Sequence, residues 1–203
     1  MLTLCAGGRA LQKEQTLNTA QDARAPEPLE LGHGATELEV FLEPTCPFSK
    51  IAFGKLQPLL DAVGEDQLTV RVRFVSQPWH LFSGVVTRAI LAASATAGGK
   101  ATGLAAMQAV YDHREAFEFE DDHCSGPNME RTPAQMIAQL SDLIGVDLAE
   151  PFRWPSVGQA LRWHTRYARQ NGVHVSPTFA VNRIVNANMS SGQSIEEWAK
   201  QLG

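Results

Sequence analysis

Three cysteines in 203 residues, at positions 5, 46 and 124, are too few and too widely spaced to form a disulfide framework. That scarcity fits a reducing compartment better than secretion, and the expected location is cytoplasmic. No run approaches the ~18 apolar residues of a membrane span, so no membrane partner is expected. A basic stripe is missing too. Lys and Arg number 17 against 22 Asp and Glu, for a formal net charge of −5, and nucleic acid is not an expected partner. The opening Met1-Leu2-Thr3-Leu4-Cys5-Ala6-Gly7-Gly8-Arg9 lacks a basic start and a sustained apolar stretch, so it does not read as a signal peptide. No internal repeat or low-complexity tract is visible. Asp121-Asp122-His123-Cys124 carries metal-ligand side chains, but no second cluster with zinc-like spacing accompanies it. The tetrad reads as a solvated loop, and no metal site is expected.

Hydrophobic residues make up 44% of the chain, enough for the core of one domain with an inserted subdomain. Residues 1–27 are polar and end in prolines, and are read as a tail. A short edge strand is expected at 28–31 and a firmer one at 37–42, where Leu38, Val40 and Leu42 alternate with Phe41 on the other face. Helical spacing of Phe53, Leu56, Leu59 and Leu60 predicts one helix over 46–62, closed by Gly64. Leu68 to Val75 alternates as a half-buried strand. Strand, helix and strand together favour a parallel pair with a right-handed crossover.

The character then changes. Helices are predicted over 85–97, 101–117, 132–144 and 156–170, with no strand signal among them. Strands return at 178–181 and 184–185 around a turn at Asn182-Arg183. A last helix starts at Ser194, with Glu197 completing a capping box. The fold class is α/β, with an all-helical insertion at 85–170 dividing a domain made of 28–84 and 171–203.

The densest chemical signal is Phe41-Leu42-Glu43-Pro44-Thr45-Cys46-Pro47-Phe48-Ser49-Lys50. A strand ends, a proline marks a turn, and Cys46 stands at a helix start with Pro47 at its first position. A thiol there faces unsatisfied backbone N–H groups and the positive end of the helix dipole, and both favour the thiolate. The alternative is a buried, inert cysteine. Ser49 can donate to the sulfur across one helical turn, or simply be a polar residue of the first turn. After the second strand, Trp79 and Phe82 can line an apolar groove. His80 can protonate a leaving thiolate, although a solvent-facing loop histidine is expected. Glu43 can be a buried carboxylate that assists proton transfer, although an exposed strand-end charge is expected.

The segment around T-C-P-F-S-K resembles the active-site segment of the DsbA-like branch of the thioredoxin superfamily. Val175-Ser176-Pro177-Thr178-Phe179-Ala180-Val181-Asn182 resembles that family's cis-proline loop and the strand after it. The resemblance implies a thioredoxin-like fold, a cis Ser176–Pro177 bond facing Cys46, and a substrate-binding surface of Pro47, Phe48, Trp79, His80, Ser176 and Pro177. It implies catalysis by Cys46 with Ser49. The family carries a second cysteine where this chain has Ser49, which leaves monothiol exchange on a protein or small-molecule disulfide. No cofactor is expected beyond glutathione as a co-substrate. Two other readings stay open: a glutathione-dependent isomerase or transferase of the kappa-class type, and a non-catalytic peptide-binding module.

Overall fold

Two apolar runs with alternating burial build the centre of the sheet. In the computed structural model, which describes residues 24–203, they are β2 (Thr36–Leu42) and β3 (Leu68–Phe74), paired in parallel. Cys5 and most of the expected tail lie outside the described residues. Leu38, Val40, Leu42, Leu68, Val70, Val72 and Phe74 enter the main core, while Phe41 enters a smaller one with Ala168 and Val173. A period of two divides the faces in this way because successive strand side chains point to opposite sides. β1 (Glu30–Gly32) pairs antiparallel with β3 at one edge. At the other side, β4 (Thr178–Val181) runs antiparallel to β2 and β5 (Ile184–Val185) antiparallel to β4, giving the order β1-β3-β2-β4-β5. The β4–β5 turn places Asn182 at φ 48° and Arg183 at φ 69°, the left-handed pair that a two-residue hairpin requires.

One expected helix is two. α1 (Pro47–Phe53) stops at Gly54, and α2 (Leu56–Val63) starts after Lys55. Pro58 supplies the reason: it has no N–H to give to the Gly54 carbonyl, so a continuous helix would lose that bond, whereas the first turn of a new helix does not need it. Lys55 holds the break in place, donating to the carbonyls of Ser191 (2.6 Å) and Gln193 (2.5 Å).

Between the two parts of the sheet lie α3 (Ser83–Ser94), α4 (Gly99–Asp112), α5 (Pro133–Ile144) and α6 (Pro155–Gln170), with short 3-10 turns at Arg114–Ala116 and Pro151–Arg153. α5 opens with a capping box between Thr132 and Gln135, and α7 (Ile195–Lys200) with the one expected between Ser194 and Glu197. α7 buries Trp198, whose ring meets Phe179 edge-on at 4.8 Å while its N–H donates to Ser190 O. Among the described residues no helix is long and apolar enough to cross a membrane.

Candidate active site

β2 and β3 are parallel, and β4 runs against β2 with Thr178 opposite Phe41. The segment after β2, the segment after β3 and the loop before β4 therefore meet at one end of the sheet. Carboxyl ends of parallel strands are where α/β folds place their ligands. Cys46 is the residue before α1, extended at φ −76° and ψ 128°, with Pro47 at the first helical position. Its Sγ lies 3.7 Å from the carbonyl oxygen of Ser176, and the Ser176–Pro177 bond is cis. Ser176 is held in turn by its hydroxyl, which donates to Gln77 Oε1 at 2.9 Å.

A cleft of about 360 Å³ opens above the sulfur, lined by Cys46, Pro47, Phe48, Gln77, Trp79, His80, Val175 and Ser176. Cys46 is only 4% exposed and forms part of the cleft wall, whereas Phe48 (59%), Trp79 (49%) and Val175 (59%) stand out around it. A larger cavity of about 750 Å³, lined by Ile137, Val146 and Phe152 among others, has no cysteine or histidine among its described lining residues. The chemistry belongs to the smaller one.

Several sequence expectations change here. Phe82 does not line the groove; it is buried and packs edge-on against Phe119 at 5.3 Å. His80 is not solvent-facing. It is buried against Thr45, with Nδ1 3.1 Å from the Thr45 hydroxyl and 3.6 Å from Glu43 Oε2. Glu43 is not an exposed charge either, being fully buried. Pro44 turns the chain, so the Thr45 N–H and hydroxyl both reach back to Glu43 Oε2, at 3.0 and 2.9 Å. Burial pushes the Glu43 carboxyl up to about 7, with the Ser83 hydroxyl and then the Thr45 hydrogen bonds opposing it. Burial also pulls His80 down to about 4, helped by His123 and Arg114. Ser49 is fully buried, its hydroxyl accepts from the Glu43 N–H at 3.1 Å and lies beside the Tyr111 hydroxyl, and no hydrogen bond to the Cys46 sulfur is present among the described residues.

The insertion supplies the far wall of the cleft, which the sequence reading missed. Arg114, Glu118 and His123 all line it. Arg114 pairs with Glu118 and donates to the Thr45 carbonyl at 3.2 Å, and His123 meets His80 edge-on at 5.1 Å. Burial pushes Glu118 up to about 7, against the pull of Arg114. A signal existed in the alternation Phe117-Glu118-Phe119. Phe117 is buried and Phe119 packs on Phe82, so both flanking rings face inward and pin the segment over the cleft. Beyond it, Asp122 accepts from the N–H groups of Cys124 and Ser125 in an exposed turn. Among the described residues no group of three or more His, Cys, Asp or Glu is placed to hold a metal ion.

A thiol at a helix start, facing a cis proline across the end of a mixed sheet, defines a thioredoxin-like protein. Comparison with solved structures narrows the class. A candidate protein-disulfide isomerase from Pseudomonas syringae is 54% identical over 86% of this chain and 97% of its own, with a TM-score of 0.84. The thiol-disulfide exchange protein alpha-DsbA2 of Wolbachia pipientis (14% identity, 98% of both chains, TM-score 0.63) has the same fold. So does Pseudomonas aeruginosa DsbA2 (15%, 86% and 92%, 0.58). The chain belongs to the DsbA-like branch of the thioredoxin superfamily and is an enzyme of the thiol-disulfide oxidoreductase class. No protein-family model matches it, and no curated relative does.

Proposed function

We propose that Cys46 works as a single nucleophile in disulfide isomerisation or in exchange with glutathione mixed disulfides, and that an external thiol completes each turnover. The observation that carries this reading is Ser49. It occupies the place of the family's second cysteine, fully buried and accepting from the Glu43 N–H, so the first turn of α1 offers no second sulfur to Cys46. Cys124 is the only other described cysteine, and it sits in the exposed turn. There the Asp122 carboxylate pushes its thiol up, which keeps little of it as attacking thiolate.

The apolar ring of Phe48, Trp79 and Val175 supports an extended peptide as substrate. The Ser176 backbone beside the cis proline offers a strand-like docking edge for it. Few, widely spaced cysteines support work in a thiol-rich compartment such as the cytoplasm, where glutathione would serve as the external thiol. The test is transfer from a glutathionylated peptide. Cys46→Ser should lose it and Cys124→Ser should keep it. Glutathione binding with no adduct at Cys46 would move the assignment to a glutathione-dependent isomerase or transferase. Peptide binding without exchange would make the protein a binding module.

A further inference from the structure

Glu43, Thr45 and His80 form one line of hydrogen-bonding groups that runs from the interior to the cleft. Thr45 Oγ1 stands between Glu43 Oε2 at 2.9 Å and His80 Nδ1 at 3.1 Å. The other carboxyl oxygen, Glu43 Oε1, is buried with no hydrogen-bond partner among the described residues. A carboxylate enclosed in this way favours taking up a proton. His80 lines the cleft. Among the described residues the ring is hydrogen-bonded through Nδ1 alone, which leaves Nε2 as the nitrogen available to the cleft.

Thr45 has one hydroxyl proton, and that fixes the tautomer of the histidine. With Glu43 ionised, Thr45 gives its proton to Oε2, and Nδ1 must carry a proton of its own to bond Oγ1. Nε2 is then bare and basic. With Glu43 protonated, Oε2–H donates to Oγ1, Thr45 donates to Nδ1, and Nε2 carries the proton.

We propose that Glu43, Thr45 and His80 are a proton store and relay for exchange at Cys46. The proposal rests on the monothiol reading above. In the first half of the cycle the Cys46 thiolate attacks a substrate disulfide. A bond forms between the two sulfurs, the substrate S–S bond breaks, and its electron pair leaves on the departing sulfur. That thiolate takes the Nε2 proton, Nδ1 takes the Thr45 proton, and Thr45 takes the Glu43 proton, leaving a carboxylate. In the second half a small external thiol gives its proton to the bare Nε2 and attacks the substrate sulfur. The bond to Cys46 breaks and Cys46 leaves as thiolate. The relayed proton returns to Glu43. The external thiol is oxidised into a disulfide, and the mixed disulfide is reduced. His80 stays neutral throughout.

The charge environment agrees with the division of labour. With Glu43 up at about 7, both of its forms exist near neutrality, whereas His80, down at about 4, remains uncharged. Among the described residues the charged and titratable groups facing the relay are Cys46, Arg114, Glu118, Glu120, Asp121 and His123 around the cleft, and Tyr111, whose hydroxyl meets the Glu43 carbonyl at 3.4 Å. Glu118 also titrates at about 7, so a variant is needed to tell the two acids apart.

The test is nitrogen NMR of the whole protein, labelled at histidine and titrated through pH 7. His80 should stay neutral and exchange its Nε2–H tautomer for the Nδ1–H tautomer as Glu43 ionises. The exchange should vanish in Glu43→Gln and in the isosteric Thr45→Val. A single tautomer throughout, an imidazolium forming with the same midpoint, or a switch that survives both variants would overturn the relay. Glu43→Gln should also slow exchange with oxidised glutathione on the order of 10²-fold, and an unchanged rate would equally overturn it. Should Glu43→Gln not fold, the unmodified titration and Thr45→Val still decide. A switch without any exchange at Cys46 would instead remove the monothiol reading, and the relay's role with it.

Discussion

The sulfur of Cys46 lies 3.7 Å from the carbonyl oxygen of Ser176, a residue 130 positions away in sequence, beside the cis bond to Pro177. That contact joins the end of β2 to the start of β4, and it sets where a substrate chain can lie. A peptide running along residue 176 would pass directly over the thiol, with Trp79, Phe48 and Val175 around it.

Trp79→Ala should therefore discriminate between substrates. A half-exposed tryptophan at a binding edge typically contributes more than about 1 kcal/mol. The variant should raise KM for a disulfide peptide about fivefold or more, while a small disulfide that reaches only the sulfur should be little affected. Equal losses on both substrates would place Trp79 outside the binding surface.

Burial of Glu43 makes stability depend on pH. The folded carboxyl sits at about 7 against 4.5 for a free one. The folded state then holds its proton more tightly than the unfolded chain does. This group's contribution is fully present below about pH 4.5 and declines as pH rises through 7. The shift corresponds to roughly 3 kcal/mol. Glu43→Gln should remove that part of the slope, so the unmodified protein loses ground to the variant between pH 5 and pH 8 in urea unfolding. Parallel profiles would contradict the burial. Glu118 adds a slope of the same sign to both proteins, which is why the difference between them is the quantity to read.

Much of the frame was legible because short-range chemistry wrote it: alternation in β2 and β3, the Ser194–Glu197 capping box, the Asn182-Arg183 turn. The break between α1 and α2 was signalled by Pro58 but outweighed by the continuous helical spacing of Phe53, Leu56 and Leu59. The thiol and the cis proline could be placed through a family resemblance. The burial of Glu43 and His80 could not be decided, because it depends on a wall from further along the chain, with Tyr111 68 residues after Glu43 and His123 43 residues after His80. A lone Glu before a proline looks the same in sequence whether that wall closes over it or leaves it in water.

Ser49→Cys should restore a C-P-F-C pair and allow release of substrate without added thiol. It should also carry a stability cost. The Ser49 hydroxyl accepts from the buried Glu43 N–H, and a sulfur accepts weakly, so about 1 kcal/mol should be lost. Denaturant midpoints of the reduced proteins check the cost, and thiol trapping checks the release. A variant that still holds its adduct without added thiol would show that position 49 does not reach the sulfur.

The central claim is that one sulfur starts the reaction and an outside thiol finishes it. The direct measurement is to trap Cys46 as a mixed disulfide with a peptide, remove free thiol, and follow release by mass spectrometry before and after glutathione is added. The adduct should persist without glutathione and discharge when it is supplied, in both the unmodified protein and Cys124→Ser. Rapid release without added thiol would contradict the account. If Cys124→Ser abolished that release, the resolving sulfur would be Cys124.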